Sequence, residues 1–297
     1  MNIATLRVFC DVVLHQSFSR GASANEVSQS AATQSINRLE KHLGSVLIDR
    51  GKRPFVLTPE GQICYEAFRD ILEIYDNAAQ LIKSPESNVR GQLRVAAIYS
   101  VGLNEMSRCM KEFMQTFPKS KVNLEYLHPS KIYTAVLNCE ADLGIVSYPT
   151  ASQEIDTIPL RSENMVLICP PAHPLAKRES VDVKELAEHE FIAFDRTLII
   201  RKELDRYFRH YGQHVGISME FDNIETIKQA VESGLGISIV PEPSVRHESQ
   251  YGRIAARTLT PDVPKRPIGI IHRHRKMFTQ TAKKFIEMIS EGLGTPQ

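Results

Sequence analysis

Between Val27 and Glu40 the chain reads VSQSAATQSINRLE, a run dense in short hydrogen-bonding side chains. Ser28, Gln29, Ser30, Thr33, Gln34, Asn37 and Arg38 bring hydroxyls, amides and a guanidinium close together in the chain. Such groups have the chemistry of DNA readout. Amides pair bidentately with adenine edges, arginine with guanine or phosphate, and hydroxyls with base edges or backbone. To present them on one surface the segment must be a helix. Ala32, Ile36, Leu39 and Leu43 fall at steps of four, three and four, forming one apolar face and leaving the polar residues, with Lys41, on the other. An ordinary solvated face, the plainer alternative, would carry Glu and Lys in i, i+4 pairs, whereas Glu40 is the only acid between Val27 and Leu43.

The neighbouring elements must hold that helix in place. Leu6, Phe9, Cys10 and Val13 recur at helical spacing from Thr5 to His15. Ser17-Phe18-Ser19 breaks this first helix, Ser19 caps a short second one through Ala24, and Asn25 closes it by tolerating a left-handed turn. Ser28 caps the third helix, which runs to about Leu43 and stops at Gly44. That spacing predicts a helix-turn-helix. From Leu47 to Thr58 an apolar pair, a basic turn and an apolar strand read as a hairpin wing with Arg50, Lys52 and Arg53 at its tip. Cations there suit phosphate, although each singly fits a solvated tip as well.

Thr58-Pro59 opens a long helix to about Lys83. Ile63, Ala67, Ile71, Ile74, Ala78 and Leu81 form one stripe along it, and Cys64, Phe68, Leu72, Tyr75, Ala79 and Ile82 a second. So wide an apolar arc exceeds what a small winged domain covers, so a second copy of the same helix is the expected partner. Ser84-Pro85-Glu86-Ser87-Asn88 then reads as a linker.

The segments SQSAATQSINRLEKHLG and LIDRGKRPFVLTPEG, with the helices that flank them, resemble the N-terminal domain of LysR-type transcriptional regulators. The likeness is carried by Ser28-Gln29, Ile36, Arg38-Leu39-Glu40, Leu43-Gly44, Arg50 and Leu57-Thr58-Pro59-Glu60-Gly61. Ser30 stands where proline is common, Ala32 where a larger apolar residue is usual, and Asn25 where leucine commonly ends the second helix. The resemblance implies that Gln29 and its neighbours contact double-stranded DNA and that the wing's cations contact its backbone. It also implies self-association as a homodimer or, as is usual in that family, a homotetramer.

After Gly91 the pattern changes to alternating strands and helices. Strands are expected at 93–98, 122–127, 143–147, 165–169, 191–194, 217–221, 237–240 and 268–272, and helices at 103–117, 132–139, 200–211, 224–233 and 279–290. The expected fold class is therefore α+β and multi-domain. Residues 1–58 form a winged helix-turn-helix, 59–88 a linker helix and hinge, and 89–297 a two-lobed α/β domain, with lobe I at about 89–164 and 268–297 and lobe II at about 165–267. Ligands of such domains collect at strand carboxyl ends and helix starts. Ser100, Ser147, Thr197 and Asn223 occupy such places, though each would serve equally as a helix cap or turn residue. The segments ADLGIVSYP and VESGLGISIVPE are similar to the family's effector-binding domain, which resembles type 2 periplasmic binding proteins. That likeness assigns Ser100, Val101, Ser147 and Thr197 to a pocket for a small effector, of which anions and carboxylates are the first candidates.

Other function classes are disfavoured. The chain has no nucleophile elbow, Walker loop, zinc-ligand spacing or dinucleotide fingerprint, so neither enzymatic activity nor a cofactor is expected. His272-Arg273-His274-Arg275-Lys276 surrounds its histidines with cations and makes a poor metal site. Asp195 and Arg196 fit a loop at a ligand cleft without any nucleophile beside them. Lys and Arg total 36 against 35 for Asp and Glu, so a basic footprint has to be local. The five cysteines are scattered, as expected of reduced thiols in a cytoplasmic protein, and no apolar run reaches the roughly 18 residues of a membrane span. Two alternatives stay open: a redox-responsive regulator of the same fold, and a solute-binding receptor that does not bind DNA.

Overall fold

The computed structural model describes residues 2–52, 54–83, 89–101 and 103–294. The chain forms two compact units, one of residues 1–88 with 277–279 and the other of 89–276 with 280–297. The expected linker Ser84–Asn88 lies outside the described residues.

The first unit contains α1 (Ile3–Leu14), α2 (Phe18–Ala24), α3 (Gln29–Leu43), the antiparallel hairpin β1 (Ile48–Asp49) and β2 (Val56–Leu57), and α4 (Pro59–Lys83). Leu6, Phe9, Val12, Ala32, Ile36, Leu39, Leu47, Phe68 and Leu72 share its core. Leu43 is 39% exposed, so the apolar face of α3 ends one turn before the sequence pattern does. Helix α2 is capped by Ser17, whose Oγ accepts from the Arg20 amide, and not by Ser19. Asn25 keeps an ordinary φ of −106° and donates to Asp11 and Gly21, leaving the left-handed position to Glu26 at φ 56°. Ser28 and Gly44 cap α3 as expected, with Gly44 at φ 70°. Thr58 Oγ1 accepts from the Gly61 amide at 2.9 Å and starts α4.

The second unit is built around two sheets. The first takes β3 (Gly91–Ala97), β4 (Ser120–Tyr126), β5 (Leu143–Ser147), β6 (Ile155–Glu163) and β13 (Arg266–Arg273) in the order β4-β3-β5-β13-β6. Its helices are α5 (Leu103–Thr116), α6 (Pro129–Leu137) and α10 (Gln280–Gly294). The second takes β7 (Met165–Cys169), β8 (Ser180–Asp182), β11 (Ser238–Pro241) and β12 (Ala255–Thr260) in the order β11-β7-β12-β8. The parallel pair β9 (Glu190–Phe194) and β10 (Gly216–Phe221) joins it through a bridge from Phe191 to Ile237. Helices α7 (Ile199–His210), α8 (Ile224–Glu232) and the short α9 (Arg246–Gln250) complete this lobe.

Of the strands foreseen as apolar runs, β7 and β5 are central and buried, with all five and four of five residues inside, whereas β4 and β10 are edge strands with exposed residues. Three strands had no such signal. Strand β6 is mostly half-buried at a sheet edge, where it tolerates Pro159; β8 is only three residues long, and β12 mixes threonine and arginine with its apolar residues. The chain crosses between lobes at Asn164 and again over 261–265. Strand β13 opens at Arg266 and not at Ile268, because Arg266 pairs in register with Glu163 at the end of β6.

Candidate nucleic-acid interface and inter-lobe cavity

On α3 the side chains of Gln29, Ser30, Gln34, Asn37 and Arg38 are exposed and Thr33 is half-buried. Several already have partners. Ser28 Oγ caps the helix through the Ala31 amide and lies 2.9 Å from Ser30 Oγ, while Thr33 Oγ1 donates to the Gln29 carbonyl at 2.9 Å. Ser19 Oγ donates to Gln29 Oε1 at 3.0 Å, which leaves the Gln29 amide N–H groups for an outside acceptor. Here the structure gives Ser19 a role that sequence reasoning missed: its hydroxyl orients the side chain most suited to base readout.

Arg50 also differs from expectation. Its Nη2 donates to Asn37 Oδ1 at 2.6 Å and Glu40 Oε2 at 3.0 Å, and its guanidinium lies 5.4 Å from the Phe18 ring centroid. Glu40 Oε1 in turn accepts from the Leu47 and Ile48 amides. Arg50 therefore fastens the hairpin to α3 before it can serve a phosphate, and Asn37 lends it the amide oxygen. Lys52 stands exposed at the hairpin turn, whereas Arg53 lies outside the described residues.

In the second unit, a cavity of about 700 Å³ opens between the two lobes. Ser100 reaches it from the segment after β3, Ser147 from the end of β5, Thr197 from the loop before α7, and Asn223 from the start of α8. Four separate segments thus place the predicted residues on one wall system. Val101 does not join them. It is fully buried, its amide donating to the Ile98 carbonyl, so this position serves the core. Asn223 Oδ1 caps α8 through the Glu225 amide at 2.8 Å, and its Nδ2 is left over. Asp195 accepts from the Thr197 amide at 2.8 Å and from its hydroxyl, bonds that hold the Asp195 carboxyl below the usual carboxylate range. Asp195 thus organises the loop that carries Thr197.

Phe194, at the head of the segment expected to line the cavity with Thr197, does line it, whereas sequence reasoning missed Arg266, His128 and Tyr133. Arg266 is only 2% exposed and forms an ion pair with Glu163. A signal was present: an arginine at the head of the apolar run PIGII has to find an acid when that run is buried. None of the lining residues is a cysteine. Burial pushes the Cys169 thiol up to about 11, the opposite of a reactive thiolate, and Cys139 accepts a hydrogen bond from Arg273.

Comparison with known proteins agrees with this architecture. The family model "Bacterial regulatory helix-turn-helix protein, lysR family" matches residues 3–62, and "LysR substrate binding domain" matches residues 86–294. A probable RuBisCO transcriptional regulator of Trichormus variabilis is 28% identical, over 98% of this chain and 88% of that one. Among solved structures, a full-length OxyR variant from Pseudomonas aeruginosa superposes with a TM-score of 0.81 at 23% identity, covering 100% of this chain and 99% of its own. CbnR in complex with its target DNA gives 0.60 at 22% identity, covering 98% and 99%. Those two structures share the fold, and the two family models between them span both units. The chain is a member of the LysR family, a DNA-binding transcriptional regulator and not an enzyme.

Proposed function

We propose that this regulator reads its promoter through Gln29, Gln34, Asn37 and Arg38 on α3, with Ser28, Ser30 and Thr33 shaping the start of that face and Arg50, Lys52 and Arg53 serving the wing. Two copies join along α4, and pairs of dimers form a homotetramer that acts in the cytoplasm. A small molecule between the lobes, anionic by preference, shifts the assembly toward one arrangement by binding it more tightly than the other. No cofactor is required. The observation that carries this reading is the convergence of Ser100, Ser147, Thr197 and Asn223 on one cavity of about 700 Å³, a size suited to a metabolite.

The test is DNA affinity of the full chain, measured by fluorescence anisotropy across a salt series, with and without a panel of small metabolites. A ligand that raises the melting temperature and also changes promoter affinity supports the reading. Ligands that stabilise the protein while leaving DNA affinity unchanged would overturn the regulatory link.

A further inference from the structure

Two side-chain amides on the exposed face of α3 have their oxygens already engaged. Gln29 Oε1 accepts from the Ser19 hydroxyl at 3.0 Å, and Asn37 Oδ1 accepts from Arg50 Nη2 at 2.6 Å. The Asn37 orientation follows from chemistry alone, because a guanidinium has donors and no acceptor. Each amide is thereby left to meet an outside partner with the N–H groups of its nitrogen. Glu40, the one acid on this helix, is likewise engaged: Oε1 accepts from the Leu47 and Ile48 amides and Oε2 from Arg50. Arg38, exposed on the same helix, is again a donor only. Thr33, whose hydroxyl proton goes to the Gln29 carbonyl, keeps an acceptor, so the bias toward donors belongs to particular positions and not to the whole helix.

The four bases differ in this respect in the major groove. Guanine and thymine present a keto oxygen, O6 or O4, where adenine and cytosine present an amino group. A glutamine that pairs bidentately with adenine accepts from N6 through its amide oxygen while its nitrogen donates to N7. At Gln29 that oxygen already holds a hydroxyl, so the adenine amine has to compete with Ser19 for it. A keto oxygen meets only N–H groups. Gln29 opens α3, and the first residues of a recognition helix are the ones that reach base edges. We propose that Ser19 is a positioning residue for sequence readout: by holding the Gln29 oxygen, it makes Gln29 select a keto base, guanine or thymine, over adenine. This rests on the reading of α3 as the base-contacting helix. Ser19 is exposed on α2, so its replacement tests readout without opening the core.

Selection of binding sites from a random duplex library by the full chain, wild type and Gln29→Ala, identifies the base pair whose preference depends on Gln29. At that pair, sulfur in place of the keto oxygen, as 4-thiothymine or 6-thioguanine, should weaken wild-type binding about fivefold, since sulfur is a poor acceptor, and should leave Gln29→Ala indifferent. Where the pair is A·T, purine in place of adenine removes the N6 amine and should change nothing. Ser19→Ala frees the Gln29 oxygen for N6. It should narrow the preference for the keto base over adenine about fivefold while the melting temperature holds, and Ser19→Thr should restore the preference. Loss of binding on removing the adenine amine, indifference to sulfur, or a preference unchanged by Ser19→Ala would each overturn the proposal. The two readings fail separately. The same selected site for wild type and Gln29→Ala removes Gln29 from the reading face and the proposal with it, whereas a Gln29-dependent pair that prefers adenine keeps α3 as the reader and discards the role of Ser19.

Discussion

At the scale of single residues, the polar side chains of the first unit divide between those left open and those already bonded. Gln29 and Arg50 lie in the same surface, but Gln29 keeps its amide N–H groups for an outside acceptor while Arg50 is bonded to Asn37 and Glu40. Gln29→Ala is therefore expected to reduce affinity for the specific site by about 1–3 kcal/mol with little change on random duplex, read by anisotropy on both. Arg50→Ala should instead weaken both together and lower the melting temperature by an amount worth about 1 kcal/mol, since the lost contacts are partly exposed. If Arg50→Ala left stability untouched, its place as a fastener between hairpin and helix would be wrong.

At the scale of elements, the contacts between helices and strands set the tolerances. Helix α2 approaches α1 so closely at Gly21 that an added Cβ would sit 2.5 Å from the backbone N and Cα of Val12. Backbone cannot rotate away as a side chain does, so Gly21→Ala should destabilise the first unit by about 3 kcal/mol in chemical denaturation. A native-like midpoint would mean the helices can part at little cost. In the second unit Asp142, just before β5, accepts from the Arg94 amide and guanidinium and from Lys276, joining β3 to the segment after β13. Burial acts to raise this carboxyl, but Arg94 and Lys276 together hold it below its ordinary value. Because the folded value is the lower one, its stabilisation is complete above the ordinary carboxylate range near about 4 and is lost as pH falls through the folded value. Asp142→Asn should lower the melting temperature at neutral pH and flatten its decline in acid; an unchanged acid limb would assign that decline to other groups.

For the whole molecule, the decisive feature is what α4 leaves uncovered. Phe68 and Leu72 enter the core, with Phe68 edge-on to Phe9 at 5.8 Å, while Ile63, Ile74, Tyr75 and Ile82 are 51–83% exposed. Apolar surface of that extent along one helix is unusual for a protein that stays monomeric. Ile74→Asp is expected to shift the mass measured by light scattering toward the monomer and to lower affinity for a two-half-site promoter far more than for one half-site. A mass unchanged by Ile74→Asp, alone and combined with Ile82→Asp, would remove α4 from the assembly interface.

Much of this protein was legible in its sequence because the relevant forces are local or periodic. The spacing of Ala32, Ile36 and Leu39 specified which face of α3 is buried, Thr58-Pro59 specified where α4 begins, and the apolar runs specified the central strands β5 and β7. The places of Ser100, Ser147, Thr197 and Asn223 were legible for the same reason, since each stands where a strand ends or a helix begins. Tertiary structure decided what depends on partners distant in the chain. Ser19 meets Gln29 and Arg50 meets Glu40 only after the helices and hairpin pack, and Val101 turns into the core only once its lobe closes around it. Arg266 finds Glu163 and Ser100 across more than a hundred residues. A charge has no period, so a pattern in one strand cannot show whether an arginine faces water or an acid; only the register of β13 against β6 settles it.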